Sequence, residues 1–246
     1  MFVWSESDKI VIPITLSIII VLGFVLHFLL KNKSEKIKKL PLQILAIIVI
    51  VLEVCKQCYF IFFDTYVVYA LPIHFCTLIF VLMGLSQFLP DKFAKFFKAP
   101  AFVFSFMVLV LVLVNPSSMI GNATSNIFGN FKMFHTFTFH FTVIAYSIFS
   151  IALANYKPKL KDCIYICCTV AFYATYAVPL AFHLNSNYVN ILYSFFQPLE
   201  NFRQSAGQVA YDIVLFLIGM GAGCLILIGY WLICKMILKI KEKKNA

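Results

Sequence analysis

Residues 10–39 read IVIPITLSIIIVLGFVLHFLL and then KNKSEKIKK. The first run carries no carboxylate, ammonium or guanidinium group. As a helix rising 1.5 Å per residue it covers roughly 30 Å, the thickness of bilayer hydrocarbon. The second run packs five lysines into nine residues. An apolar span that ends in a burst of positive charge has its far end at the cytoplasmic headgroups.

The rest of the chain repeats this pattern. Of 246 residues 62% are hydrophobic and 12% charged, with a mean hydropathy of +0.93, whereas soluble domains run at about a quarter charged. Further apolar runs fall at 41–62, 69–89, 99–114, 136–154, 163–183 and 209–234, after the first at 10–30. Lipid offers no partner for a backbone amide, so each run is read as a helix. The expected fold is all-α, one polytopic bundle of seven transmembrane helices forming a single domain over 1–246. The first run lacks a basic leader and a small-residue cleavage site, so it is expected to stay as a span.

The lysines set the orientation. Loops 31–39, 90–98 and 155–162 and the C-terminal tail hold sixteen basic residues, while the alternate side holds Lys9, Lys132 and Arg203. With seven spans this split places the N-terminus outside and the C-terminus in the cytoplasm, in a multi-pass plasma-membrane protein. The net charge of +10 follows from that topology, so no nucleic-acid partner is expected. The eight cysteines fall in or at the ends of the spans, which argues against an extracellular disulfide framework.

Polar residues inside the spans are the candidates for function, because charge at mid-membrane costs ~2.5–3.5 kcal/mol or more unless paired. The second span carries Glu53, Lys56, Gln57 and Asp64 along one stripe. Glu53 and Lys56, three apart, form either a self-neutralised structural pair or part of an ion path. CKQC at 55–58 has redox spacing but lies inside an apolar helix, not at an exposed helix N-terminus. LPIHFC at 71–76 opens the third span, with Pro72 in its first turn. On a regular helix His74 shares a face with Thr77, and Cys76 points about 200° away. The fifth span begins FHTFTFHFT, where His135 and His140 stand about 140° apart and do not chelate one metal. No metal or cofactor is expected. Asp212 opens the last span, Arg203 precedes it, and Asn122 lies in an outer loop. The outer half thus gathers Asp64, His74, Cys76, His135, His140, Arg203 and Asp212. Histidines there serve either as packing groups bonded to carbonyls or as functional groups. Gly219 and Gly223 form GxxxG, expected to pack closely on another helix.

LPIHFC, FHTFTFH at 134–140 and NYVNILYSF…ENFRQ…AYD at 187–212 resemble the YwaF-type bacterial integral membrane proteins, a family similar to the eukaryotic transmembrane protein 164 group. The resemblance implies lipid acyl chemistry, with a Cys or Thr nucleophile and a His base. Carried over, the LPIH stretch with His74 matches the nucleophile region, Cys76 or a threonine of the fifth span is the nucleophile, and His135 or His140 is the base. If the family's cysteine falls at Ile73 instead, this nucleophile is missing. Two functions follow. One is an acyltransferase or ester hydrolase acting on membrane lipids, with Asn122, Arg203 or backbone amides holding the oxyanion and Asp64 and Asp212 lining the pocket. The other is a transporter or receptor-like binding protein that uses the Glu53–Lys56 stripe.

Overall fold

The computed structural model describes residues 4–63 and 68–245; Asp64 lies outside the described residues. Among the described residues there is no strand. The helices are α1 (Glu6–Leu30), α2 (Glu35–Phe62), α3 (Phe75–Phe88), α4 (Asp91–Val114), α5 (Pro116–Ile120), α6 (Phe131–Ala152), α7 (Cys163–His183), α8 (Gln197–Ala206) and α9 (Gln208–Asn245). Short 3-10 turns fall at Val68–Ala70, Leu160–Asp162 and Tyr188–Asn190.

Six of these helices are long and apolar enough to cross a membrane: α1, α2, α4, α6, α7 with its preceding turn, and α9. The run read as a third span is helical only over Phe75–Phe88, 14 residues. Pro72 therefore stands outside this helix and not in its first turn. The fourth span moves the other way. Its helix starts at Asp91 and runs 24 residues, taking Lys92, Lys95 and Lys98 into its opening turns. Helix α2 likewise begins six residues before Pro41, and α9 runs on through the lysine tail. Lysine is a good helix former whose stem lies along apolar surface while its ammonium reaches water, so helices outlast their apolar runs.

The chain divides into two compact units, 1–64 with 79–156 and 65–78 with 157–246. The boundary falls inside α3. In the first unit α6 is the hub, packing against α1, α2 and α4. Its inward residues Val143, Ile144 and Tyr146 are buried, as are Ala46 and Val49 of α2 and Phe104 and Val108 of α4. In this core the Tyr146 hydroxyl lies 2.8 Å from Ser86 Oγ and accepts from Gln87 Nε2 at 2.6 Å, while Gln87 Oε1 and Ser105 Oγ are buried without a hydrogen-bond partner. Helix α1 starts with a reciprocal cap between Ser5 and Asp8. Thr124 Oγ1 donates to Asp8 Oδ1 at 2.6 Å, pinning the 121–130 turn region to this helix end.

In the second unit α7 and α8 pack against α9. Cys167 and Cys224 bring their sulfurs to 3.8 Å across the α7–α9 contact. The expected close packing at GxxxG is not what α9 does at Gly219, where an added Cβ would meet nothing within 4 Å. Close approach occurs instead in the first unit at Gly23 of α1, where a Cβ would stand 3.3 Å from Ile148 Cγ2 and 3.7 Å from Ala152 Cβ.

Gly23→Leu should therefore force α1 away from α6 and lower stability by about 1–3 kcal/mol, the usual cost of overpacking. Gly219→Leu should leave it nearly unchanged. Thermal unfolding of the two variants in detergent checks this, and equal losses would refute the assignment of the close contact.

Candidate functional site

LPIHFC is not helical until its last two residues. Proline has no amide to donate and disfavours helical geometry in the residue before it, so the stretch 71–74 stays irregular between the turn at 68–70 and α3. Helix α3 opens on His74, whose carbonyl accepts from the amides of Thr77 (2.9 Å) and Leu78 (3.2 Å) and from Thr77 Oγ1 (2.5 Å). His74 is thus the cap of the helix and not a member of it, and the helical-wheel separation of His74 from Cys76 does not apply.

Two tyrosines hold this irregular backbone. The buried Tyr173 of α7 donates its hydroxyl to the Ile73 carbonyl at 2.6 Å. The buried Tyr188 donates to the Val68 carbonyl. Their rings add edge contacts: His74 meets Tyr188 at 5.1 Å between centroids and 75° between planes, and Phe75 meets Tyr173 at 5.7 Å and 75°. Cys76, half-buried, lies within electrostatic range of the Tyr173 phenol. His74 and Cys76 therefore belong to one braced element.

The segment that delivers Tyr188 is itself unusual. Asn185, Val189 and Asn190 all have positive φ, with Val189 at 52°. A β-branched residue in that region is strained, and the surrounding bonds hold it there. Tyr211 donates to the Asn190 carbonyl, and Gln208 Nε2 donates to the Ile191 carbonyl at 2.7 Å and to Asp212 Oδ1 at 2.9 Å. Arg203 reaches Gln208 Oε1 at 3.3 Å. Its main partner is Glu200, with Nε donating to Oε2 at 3.0 Å and Nη2 to Oε1 at 2.5 Å. Arg203 and Asp212 thus join one network through Gln208, and the guanidinium is committed to a carboxylate.

The first unit holds a second polar set. Glu53 of α2 is buried and accepts from Lys56 Nζ at 2.7 Å and Gln57 Nε2 at 2.8 Å, both on Oε1. Its Oε2 is buried with no hydrogen-bond partner. His135 of α6 bonds the Leu52 backbone, lies within electrostatic range of Lys56, and leaves its buried Nε2 unpartnered. His140 Nδ1 bonds the Thr136 carbonyl one turn earlier at 2.7 Å and also lies within range of Lys56. Around them Tyr59 stacks on Phe131 at 4.7 Å, and Lys132 sits 5.1 Å over Phe60. Buried polar groups normally find partners; among the described residues four buried side-chain atoms do not, and two of the four, Glu53 Oε2 and His135 Nε2, lie in this stripe.

The predicted residues thus fall into two sets, with His74, Cys76, Arg203 and Asp212 in the second unit and Glu53, Lys56, His135 and His140 in the first. Asn122, also in the first, is exposed, and its carbonyl accepts from Ser125. Among the described residues no group of three His, Cys, Asp or Glu is arranged to hold a metal ion. Sequence reasoning missed Tyr173, Tyr188 and Tyr211, since a tyrosine in an aromatic-rich span looks like packing. It also missed Asp8, although Ser5 and Asp8 have the spacing of a capping box.

A family model described as TMEM164 family matches residues 2–237, nearly the whole chain. No curated protein and no solved structure matches.

The Glu200–Arg203 clamp carries a pH signature. The Arg203 guanidinium donating to Glu200 holds its carboxyl down at about 2, helped by the Ser194 amide. A depressed carboxylate stabilises the fold above the usual carboxylate range, and that contribution fades as pH falls through the folded value. Titration of the Arg203 Nε–H resonance should show a midpoint near 2, and a midpoint near 4.5 would show the clamp unformed.

Proposed function

The chain belongs to the TMEM164 family, and from that premise we propose that it is a multi-pass membrane enzyme of lipid acyl chemistry, an acyltransferase or ester hydrolase. The observation that carries this reading is the braced LPIHFC stretch, where a cysteine and a histidine stand on irregular backbone held by Tyr173 and Tyr188. Irregular backbone within a spanning run persists only where protein satisfies it, and such places line functional cavities. Cys76 lies in the first turn of α3, where the helix dipole favours negative charge on a thiolate and a nearby oxyanion.

In this mechanism a histidine takes the Cys76 proton and Sγ attacks the ester carbonyl of a membrane lipid. The tetrahedral intermediate collapses with C–O cleavage, the leaving alcohol receives the proton, and a thioester remains. Water or a second alcohol then attacks, restoring the thiol. His74 is the base that shares an element with Cys76; His135 and His140 are the bases that the family resemblance implies.

The same reading takes α3 across the membrane as one of seven crossings in the plasma membrane, with the N-terminus outside and the C-terminus cytoplasmic. Fourteen helical residues cover about 21 Å, so residues 68–74 must make up the depth. The charge pattern supports it: without this crossing Lys92, Lys95 and Lys98 would fall on the lysine-poor side.

A second reading, transport or receptor-like binding through the Glu53–His135 stripe, is favoured by the buried Glu53–Lys56 pair facing His135 and His140, with Glu53 Oε2 and His135 Nε2 unpartnered. It requires a polar path leading on from Glu53.

Purified protein incubated with acyl-labelled phospholipid should release or exchange label. Cys76→Ala and the variant lacking the true base should each lower the rate at least ~100-fold. Unchanged rates in Cys76→Ala would end the nucleophile assignment, and the His74→Ala, His135→Ala and His140→Ala set identifies the base. If instead no turnover occurs while Glu53→Gln abolishes solute uptake in vesicles, the second reading holds. For topology, a C-terminal alkaline phosphatase fusion should be inactive and a green fluorescent fusion bright; an active phosphatase would rule out seven crossings with this orientation.

A further inference from the structure

At their lysine-rich ends α1, α2 and α6 enclose a cavity of about 170 Å³ lined by His27, Lys31 and Lys38 with Leu30, Ala152 and Ala154. All of these residues lie in the first unit, and nothing in the acyl chemistry uses them. We propose that this cavity binds the phosphate of an anionic phospholipid.

Helix C-termini normally present bare carbonyls and repel anions. Here the last carbonyls of α6 are taken. The Asn155 amide donates to Ser150, and the Ala154 amide to Ile151. The third, Ala152, accepts from His27 Nδ1 at 2.7 Å. This closure requires Ala154 to adopt φ +49°, a conformation usually left to glycine. With the carbonyls occupied, the cavity is governed by its cations. The Lys38 side chain is only 20% exposed, its ammonium set 2.9 Å from the exposed Glu35 carboxylate. Lys31 stands 5.7 Å over the Phe28 ring. Two ammonium groups against one exposed carboxylate leave the site positive; the Ala152 bond commits the Nδ1–H of His27, so the neutral ring offers only an acceptor at Nε2 and the phosphate is held by Lys31 and Lys38.

The surroundings select a lipid over a soluble anion. Phe28, Leu29 and Ile151 are exposed apolar residues on the same helix ends, and they continue the bilayer-facing surface of α1 and α6. A headgroup phosphate in the cavity leaves its acyl chains beside that surface. Basic pockets between spanning helices are a recognised mode of anionic-lipid binding.

The test uses the full chain in neutral detergent, with thermal unfolding followed at matched phosphate concentrations of phosphatidylglycerol, phosphatidylcholine and inorganic phosphate. Phosphatidylglycerol should raise the midpoint by several degrees and the other two should not. Lys31→Gln/Lys38→Gln should lose most of that rise. The control pair Lys92→Gln/Lys95→Gln, of equal charge loss, should keep it. A rise equal in both pairs means diffuse surface attraction and overturns the site; protection by inorganic phosphate alone overturns the lipid assignment. If the glutamine pair fails to fold, native mass spectrometry of the wild type decides. One phosphatidylglycerol retained against excess phosphatidylcholine supports the site, and indifference between the two lipids rejects it.

Discussion

A backbone carbonyl that leaves its helix inside hydrocarbon has no water to accept from, and the cost of leaving it bare is several kcal/mol. The stretch from Val68 to His74 is a 3-10 turn and irregular backbone ahead of α3, and Tyr173 and Tyr188 of the second unit satisfy two of its carbonyls. Tyr173 reaches it from α7 and Tyr188 from the strained turn at 188–190, and that turn is in turn held by Tyr211 and Gln208 of α9. The contacts form a chain. The irregular backbone calls for two hydroxyls, and one of those hydroxyls calls for a turn that hydrogen bonds from Tyr211 and Gln208 maintain.

Buried charge obeys the same rule in the first unit. Glu53 and Lys56 neutralise each other within one turn of α2, and Gln57 adds a second donor to the same oxygen. Replacing such a pair with apolar residues is often neutral or stabilising, so its presence is weak evidence of structural need. Glu53 Oε2 and His135 Nε2 are left without a partner, as are Gln87 Oε1 and Ser105 Oγ elsewhere in this unit.

The two ends of the first unit differ in electrostatic character. At the α1 start, Asp8 is buried and bonded by Ser5 and Thr124. At the other end of α1, His27 and Lys31 meet Lys38 of α2 around a cavity whose neighbouring carbonyls are already satisfied. Lysines of the 31–39 run thus also line a local cavity, because the end of α1, the start of α2 and the end of α6 come together there.

The sequence by itself determined that this is an all-helical membrane protein, where most spans lie and which residues are costly to bury, because hydropathy and charge act over runs of twenty residues. It also contained the family resemblance that the match over residues 2–237 bears out. It misjudged helix ends at Asp91, Glu35 and Asn245, since a lysine flank is compatible with helix and loop alike. Only the tertiary structure decided that LPIHFC unwinds before Phe75 and that an added Cβ meets a neighbour at Gly23 and none at Gly219. Both outcomes depend on a partner distant along the chain, a tyrosine hydroxyl or a facing isoleucine, and local periodicity carries no information about such partners; the Glu200–Arg203 pair, three apart within α8, is by contrast a contact that helical spacing carries.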